Sequence, residues 1–205
     1  FLADDKGTIF SINSDSGKIN WKNNVYSKVY KKIYKNLVFS IYKNNLYVAD
    51  NIGFIYALNI DSGEIIWSKN YATPLKSNLK IFKEKIFLLD QNNKIICLST
   101  KDGSIIWNMF TISSFIKSQK LLSLAISNEG NLFSLNSSAD LHKIDSSTGD
   151  VFWSSNTLDS LNPDATDFFT SSEIVLTKNE IIFSAGSTFF SYDQNTGSIN
   201  WEIKA

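Results

Sequence analysis

The sequence predicts an all-β chain, a β-propeller built from four-stranded antiparallel blades. The first observation behind this is a repeated unit, a turn ending in Gly followed by a short apolar run ending in Trp. It occurs as Asp15-Ser16-Gly17-Lys18-Ile19-Asn20-Trp21 and Asp61-Ser62-Gly63-Glu64-Ile65-Ile66-Trp67. Further copies are Lys101-Asp102-Gly103-Ser104-Ile105-Ile106-Trp107, Ser147-Thr148-Gly149-Asp150-Val151-Phe152-Trp153 and Asn195-Thr196-Gly197-Ser198-Ile199-Asn200-Trp201. All 5 tryptophans of the chain are accounted for in this way. The second observation is the spacing: intervals of 46, 40, 46 and 48 residues suit one propeller blade, or a two-helix repeat such as armadillo. The third decides between them. Between the copies lie runs of four to six β-branched and aromatic residues punctuated by Gly, Asn and Asp, which is strand composition.

Taken in order, residues 1–21 are expected to hold only a third and a fourth strand, Thr8 to Ile12 and Lys18 to Trp21, after a turn at Asp4-Asp5-Lys6-Gly7. That is half a blade. Four whole blades follow, at about 36–67, 79–107, 121–153 and 173–201. In the first of them the strands are Asn36 to Ile41, Leu46 to Ala49, Phe54 to Leu58 and Glu64 to Trp67, and the others repeat the plan. Propellers close as rings of typically four to eight blades. The chain is therefore expected to form one partial propeller domain, part of a larger seven- or eight-bladed ring whose neighbouring blades cover its sheet edges.

The connections at 22–35, 68–78, 108–120 and 154–172 are longer than turns. In the first, Val25, Val29 and Ile33 recur every four residues, as do Tyr26, Tyr30 and Tyr34, with Lys28, Lys31, Lys32 and Lys35 among them. Three readings are open: a short amphipathic helix, a basic aromatic docking patch, or an ordinary connection. The last connection carries Pro163, Asp164 and Asp167.

Composition excludes several function classes. The 20 basic residues, all lysines, balance 20 acidic ones, which leaves no electrostatic footprint for a nucleic acid. Without Arg, bidentate clamps on carboxylate or phosphate are unavailable. Cys97 is alone, so no disulfide or Cys-based metal cluster is expected, and it reads as a small buried hydrophobe. No apolar run approaches the roughly 18–20 residues of a membrane span. The only Met is Met109, so any signal peptide or lipid-anchor cysteine would precede Phe1. His142, the only His, has no second His with which to share a metal, and no Gly-rich phosphate loop occurs.

Within the repeated unit, Gly17, Gly63, Gly103, Gly149 and Gly197 are expected at positive φ. Asp15, Asp61 and Thr148 are expected to cap the turns. Trp21, Trp67, Trp107, Trp153 and Trp201 have the area to pack between blades, each indole N–H seeking a main-chain carbonyl of the neighbour.

Ala57-Leu58-Asn59-Ile60-Asp61-Ser62-Gly63-Glu64-Ile65-Ile66-Trp67 resembles the tryptophan-docking repeat of quinoprotein-like (PQQ-repeat) propellers, as does the run from Ser191 to Trp201. That superfamily holds both quinone-dependent dehydrogenases and non-enzymatic proteins of the BamB type, the outer-membrane assembly lipoproteins. The dehydrogenases use adjacent cysteines, an Arg on the quinone, a Ca²⁺ or lanthanide site and a Trp at the axis. Here there are no adjacent cysteines, no Arg, and no Trp outside the repeat. The resemblance therefore implies a non-catalytic scaffold with no catalytic residues, no cofactor and no metal, on the periplasmic side of the outer membrane. Its implied partner is the β-barrel assembly machinery. The segments expected to meet that partner are Asn51 to Phe54, including Ile52 and Phe54, then Tyr71 to Pro74, then Phe110 to Ile116, including Phe115. Alternatives are a fragment of a quinone-dependent dehydrogenase and an extracytoplasmic sensor domain.

Overall fold

In the computed structural model, residues 1–111, 122–157 and 171–204 are described. Their strands form five antiparallel sheets, each taken from a continuous stretch of chain. The first contains β1 (Leu2–Ala3), β2 (Thr8–Ile12) and β3 (Ile19–Asn24). The second contains β4 (Leu37–Tyr42), β5 (Asn45–Asp50), β6 (Phe54–Asn59) and β7 (Ile65–Asn70). The third is β8 (Lys80–Phe82), β9 (Lys85–Leu89), β10 (Lys94–Ser99) and β11 (Ile105–Phe110). The fourth is β12 (Ser123–Ile126), β13 (Asn131–Leu135), β14 (Asp140–Asp145) and β15 (Val151–Asn156). The last is β16 (Val175–Leu176), β17 (Glu180–Ala185), β18 (Thr188–Asp193) and β19 (Ile199–Lys204). These are four propeller blades and a partial one.

The partial blade holds three strands, not the two read from sequence, because Leu2 and Ala3 pair with Phe10 and Ile9. Two residues are too short a run to register as a strand, and only the partner strand reveals them. A second correction concerns the outermost strands, which continue three residues beyond each Trp, for example to Asn70 rather than Trp67. They continue because β6 stays paired with β7 as far as Phe54 opposite Asn70, and a β-bulge precedes the Trp. Opposite Ala57 and Leu58 the register slips, so that Trp67 and Ile65 are paired and Ile66 is the extra residue. The same slip recurs at Ser11/Ile12, Cys97/Leu98, Lys143/Ile144 and Ser191/Tyr192. A bulge re-aims the side chain that follows it, and here that side chain is Trp in every repeat.

The chain divides into two compact units, Phe1–Leu75 with Ser99–Ser104, and Lys76–Leu98 with Ile105–Ala205. In the first, Ile9, Tyr26, Leu46, Val48, Tyr56 and Leu58 form the core, with Trp21 against them. In the second, one cluster joins Phe87, Leu89, Ile95 and Cys97 to Leu124, Leu132 and Ile144. Another joins Phe133, Leu135 and Leu141 to Ile181, Phe183, Phe190 and Tyr192. Each cluster draws on two neighbouring blades, since alternate residues of a strand point to opposite faces and both faces of an inner strand are covered.

Residues 25–36 form turns and no helix. The four-residue spacing of apolar side chains is overridden by tertiary contacts: the Tyr26 hydroxyl donates to Asp50 Oδ2 at 2.5 Å, 24 residues away. Tyr30 sits edge-on to Phe54, ring centroids 5.0 Å apart. Leu121, expected to begin a first strand, lies outside the described residues, as do Pro163, Asp164 and Asp167.

Candidate functional site

The repeated turn is closed by backbone first. The amide of each glycine donates to the carbonyl four residues earlier, as Gly63 does to Asn59 at 2.9 Å. A side chain at that same earlier position then accepts from the free amides inside the turn. Asn59 Oδ1 takes the N–H groups of Asp61 and Ser62, both at 2.9 Å. Asn13, Ser99, Asp145 and Asp193 occupy the corresponding place and do the same work. For Asp193 these backbone N–H bonds hold the carboxyl below the usual carboxylate range. Asp15 and Asp61 do not cap the turns: Asp15 accepts from Ser14 Oγ and Asp61 from Asn44 Nδ2. Thr148 Oγ1 does accept, from the Asp150 amide, and Ser62 Oγ accepts from Glu64 in the same way. The capping position was missed because it lies ahead of the quoted heptapeptide. Its signal was present, an Asn, Ser or Asp four residues before every repeat glycine.

The turns at Gly63, Gly103, Gly149 and Gly197 each receive the Trp of the repeat before. Trp21 Nε1 donates to Ile60 O at 2.9 Å, and Trp67 Nε1 to Thr100 O at 3.0 Å. Trp107 reaches Ser146 O and Trp153 reaches Gln194 O, both at 3.2 Å. The ring lies against the glycine three residues beyond that carbonyl. A Cβ added at Gly63, where φ is +71°, would stand 2.5 Å from Trp21 Cε3. At Gly17, with φ +68°, no described atom lies within 4 Å of that position. Trp201 is 37% exposed and has no carbonyl acceptor among the described residues. Trp and Gly of this unit are thus two halves of one joint, and its polar groups are used within it.

The proposed partner-facing residues divide differently. Ile52, Phe54, Tyr71 and Pro74 are brought together, since the Tyr71 amide donates to Gly53 O at 2.8 Å. All four are half-buried, and Ile52 and Phe54 pack against the core of Ile9, Tyr26 and Tyr56. The Tyr71 hydroxyl donates to Gly103 O, and burial pushes its pKa up to about 12. Phe110 is 73% exposed, with Lys94 Nζ 4.9 Å from its ring centre. Phe115 and Ile116 lie outside the described residues.

Other titratable side chains are enclosed. Cys97 is buried, and burial pushes its thiol up to about 12. His142 is buried beside Ser134 on the adjacent strand, and among the described residues neither His142 Nδ1 nor Ser134 Oγ has a hydrogen-bond partner. Burial lowers the His142 pKa below the ordinary imidazole value, with Asp140 opposing. No group of three His, Cys, Asp or Glu that could hold a metal occurs among the described residues. Among the described residues there is no helix long and apolar enough to cross a membrane.

The fold is similar to BamB from Moraxella catarrhalis, with a TM-score of 0.76 and 14% identity over 98% of this chain and 57% of that one. It is similar also to a quinohemoprotein alcohol dehydrogenase from Comamonas testosteroni, TM-score 0.77 and 13% identity, over 99% of this chain and 41% of that one. Sqt1 from Saccharomyces cerevisiae matches with a TM-score of 0.75 and 13% identity, over 98% and 56% respectively. At such identities the likeness is one of fold, and the chain spans at most 57% of the length of these structures. No curated protein matches the sequence. The family model described as outer membrane protein assembly factor BamB matches residues 1–201, nearly the whole chain, and the chain belongs to that family.

Proposed function

We propose that the protein is a non-catalytic, protein-binding scaffold that supports assembly of β-barrel proteins into the bacterial outer membrane, acting from the periplasmic side. The observation that carries this reading is the match of residues 1–201 to the assembly-factor family. The geometry agrees with it. The capping Asn, Ser and Asp side chains close the turns, and Trp21, Trp67, Trp107 and Trp153 join neighbouring repeats. Differences among repeats lie instead at strand ends and in the loops beside them, where Phe110 stands exposed and Ile52, Phe54, Tyr71 and Pro74 lie together, half-buried. Blades that offer varied loops are suited to binding extended or edge-presenting protein segments.

The test is binding of the purified chain to the periplasmic domains of the barrel-insertion protein, by surface plasmon resonance. Binding is expected, and it weakens in a Phe110→Ala, Pro74→Ala variant that keeps its far-ultraviolet circular dichroism. Absence of binding by the wild-type chain would overturn the partner. The dehydrogenase reading has a separate test, addition of pyrroloquinoline quinone and Ca²⁺ followed by absorbance. Stoichiometric uptake of quinone would overturn the non-catalytic assignment. The chain's lack of Arg and of adjacent cysteines argues for the opposite result.

A further inference from the structure

The connection between β3 and β4 is built in two directions. Turned inward are Tyr26 and Lys35, both buried, and Tyr30, which rests on Phe54. Lys35 acts as the anchor. Its ammonium donates to Tyr30 O at 2.6 Å and Ile33 O at 2.8 Å and lies 4.5 Å from the Tyr26 ring centre, while its amide donates to Asp5 O at 3.0 Å. The amides of Tyr30 and Lys31 both donate to Ser27 O, at 3.0 and 3.2 Å. The tip is therefore held in a defined shape.

Turned outward are Val29, 78% exposed, Tyr34, 69% exposed, and Ile33, 42% exposed, together with the exposed Lys28, Lys31 and Lys32. Against the β1–β2 turn this tip walls an open cleft of about 420 Å³, lined by Asp5, Lys6, Lys31, Lys32, Ile33 and Tyr34. Three lysines and one aspartate line it, in a chain whose formal net charge is zero. The apolar part of the lining is one aromatic and one branched aliphatic side chain. A concave site of this kind takes a side chain, whereas a flat bilayer surface has none to offer.

We propose that this cleft binds an acidic segment of a partner protein, its carboxylates on Lys6, Lys31 and Lys32 and an apolar side chain against Ile33 and Tyr34. The assignment rests on the loop's own geometry and does not depend on the assembly-factor reading. The experiment uses a short fluorescein-labelled peptide of alternating Glu and Phe, a matching Lys and Phe peptide, and vesicles of phosphatidylethanolamine and phosphatidylglycerol. Fluorescence anisotropy is expected to show binding of the acidic peptide alone. Lys31→Glu with Lys32→Glu weakens it by about tenfold or more, reversing two exposed charge contacts. Tyr34→Ala weakens it as well. A charge-matched control, Lys101→Glu with Lys178→Glu, leaves it unchanged, and all these exposed substitutions keep the circular dichroism of the wild type. Failure of the wild-type chain to bind the acidic peptide would overturn the proposal. So would equal loss in both double variants, which marks a general charge effect, or vesicle binding abolished by the Lys31 and Lys32 changes, which marks a lipid site.

Discussion

Replacing Gly63 by Ala tests the joint between repeats most directly, because Gly17 supplies an internal control. Both glycines sit in the left-handed region, φ +71° and +68°, so Ala at either site carries the same backbone strain of roughly 1–2 kcal/mol. They differ in what the new methyl meets. At Gly63 it would lie 2.5 Å from Cε3 and 2.6 Å from Cδ2 of Trp21, about 1 Å inside ordinary contact. The indole cannot retreat freely, since Nε1 is bonded to Ile60 O at 2.9 Å and the ring packs on the core of Leu46 and Leu58. Overpacking of this kind costs roughly 1–3 kcal/mol, and sliding the ring off its acceptor about 1 kcal/mol more. At Gly17 the methyl meets no described atom within 4 Å. Gly63→Ala is therefore expected to destabilise by roughly 1–4 kcal/mol more than Gly17→Ala. In thermal melts the gap is about 2–4 °C per kcal/mol for a chain of this size. Tryptophan fluorescence in a urea titration gives the same comparison. Equal losses in the two variants would refute the Trp–Gly joint and leave only backbone strain.

The remaining expectations concern single side chains. Trp107→Phe removes the donor to Ser146 O and is expected to cost about 1–2 kcal/mol, whereas Trp201→Phe, at a 37% exposed ring, is nearly neutral in the same melts; similar losses would contradict the docking role. His142 is held neutral by burial, its folded pKa below the unfolded value of about 6.5. Its contribution is thus fully present above about pH 6.5 and lost as the pH falls below it, so His142→Gln should flatten the decline in urea midpoint between about pH 7 and 5. An unchanged slope would show that other groups set the acid response. Cys97, its thiol pushed up to about 12 by burial, should resist iodoacetamide at neutral pH and label fully in urea; rapid labelling of the native chain would place it on the surface.

Much of the architecture was legible because it is written locally. Gly after a short polar run, a β-branched stretch and a terminal Trp specify a turn and a strand within seven residues, and five copies set the register. What escaped was whatever lacks a local signature. Leu2 and Ala3 form a strand only because β2 offers its edge. Each bulge shows itself only when two strands are paired, yet it decides where the following Trp points. Asn59 and its counterparts cap turns from outside the motif, while Asp61, the more obvious candidate, serves Asn44 instead. Of the residues expected to face a partner, Phe110 is exposed, whereas Ile52, Phe54, Tyr71 and Pro74 are half-buried.

The connection at residues 25–36 shows most sharply where local pattern yields to long-range contact. Spacing of Val25, Val29 and Ile33 satisfied a helix as well as a loop, and nothing nearby in the chain chose between them. Asp50 and Phe54 chose, by taking the Tyr26 hydroxyl and the Tyr30 ring. Turn chemistry, strand composition and repeat period depend on neighbours a few residues apart, so the amino-acid order alone dictates them. The acceptors of the Trp21, Trp67, Trp107 and Trp153 indoles, 33 to 41 residues along the chain, and the exposure of Lys31, Lys32 and Tyr34 depend on which strands lie side by side, and that is settled only by packing.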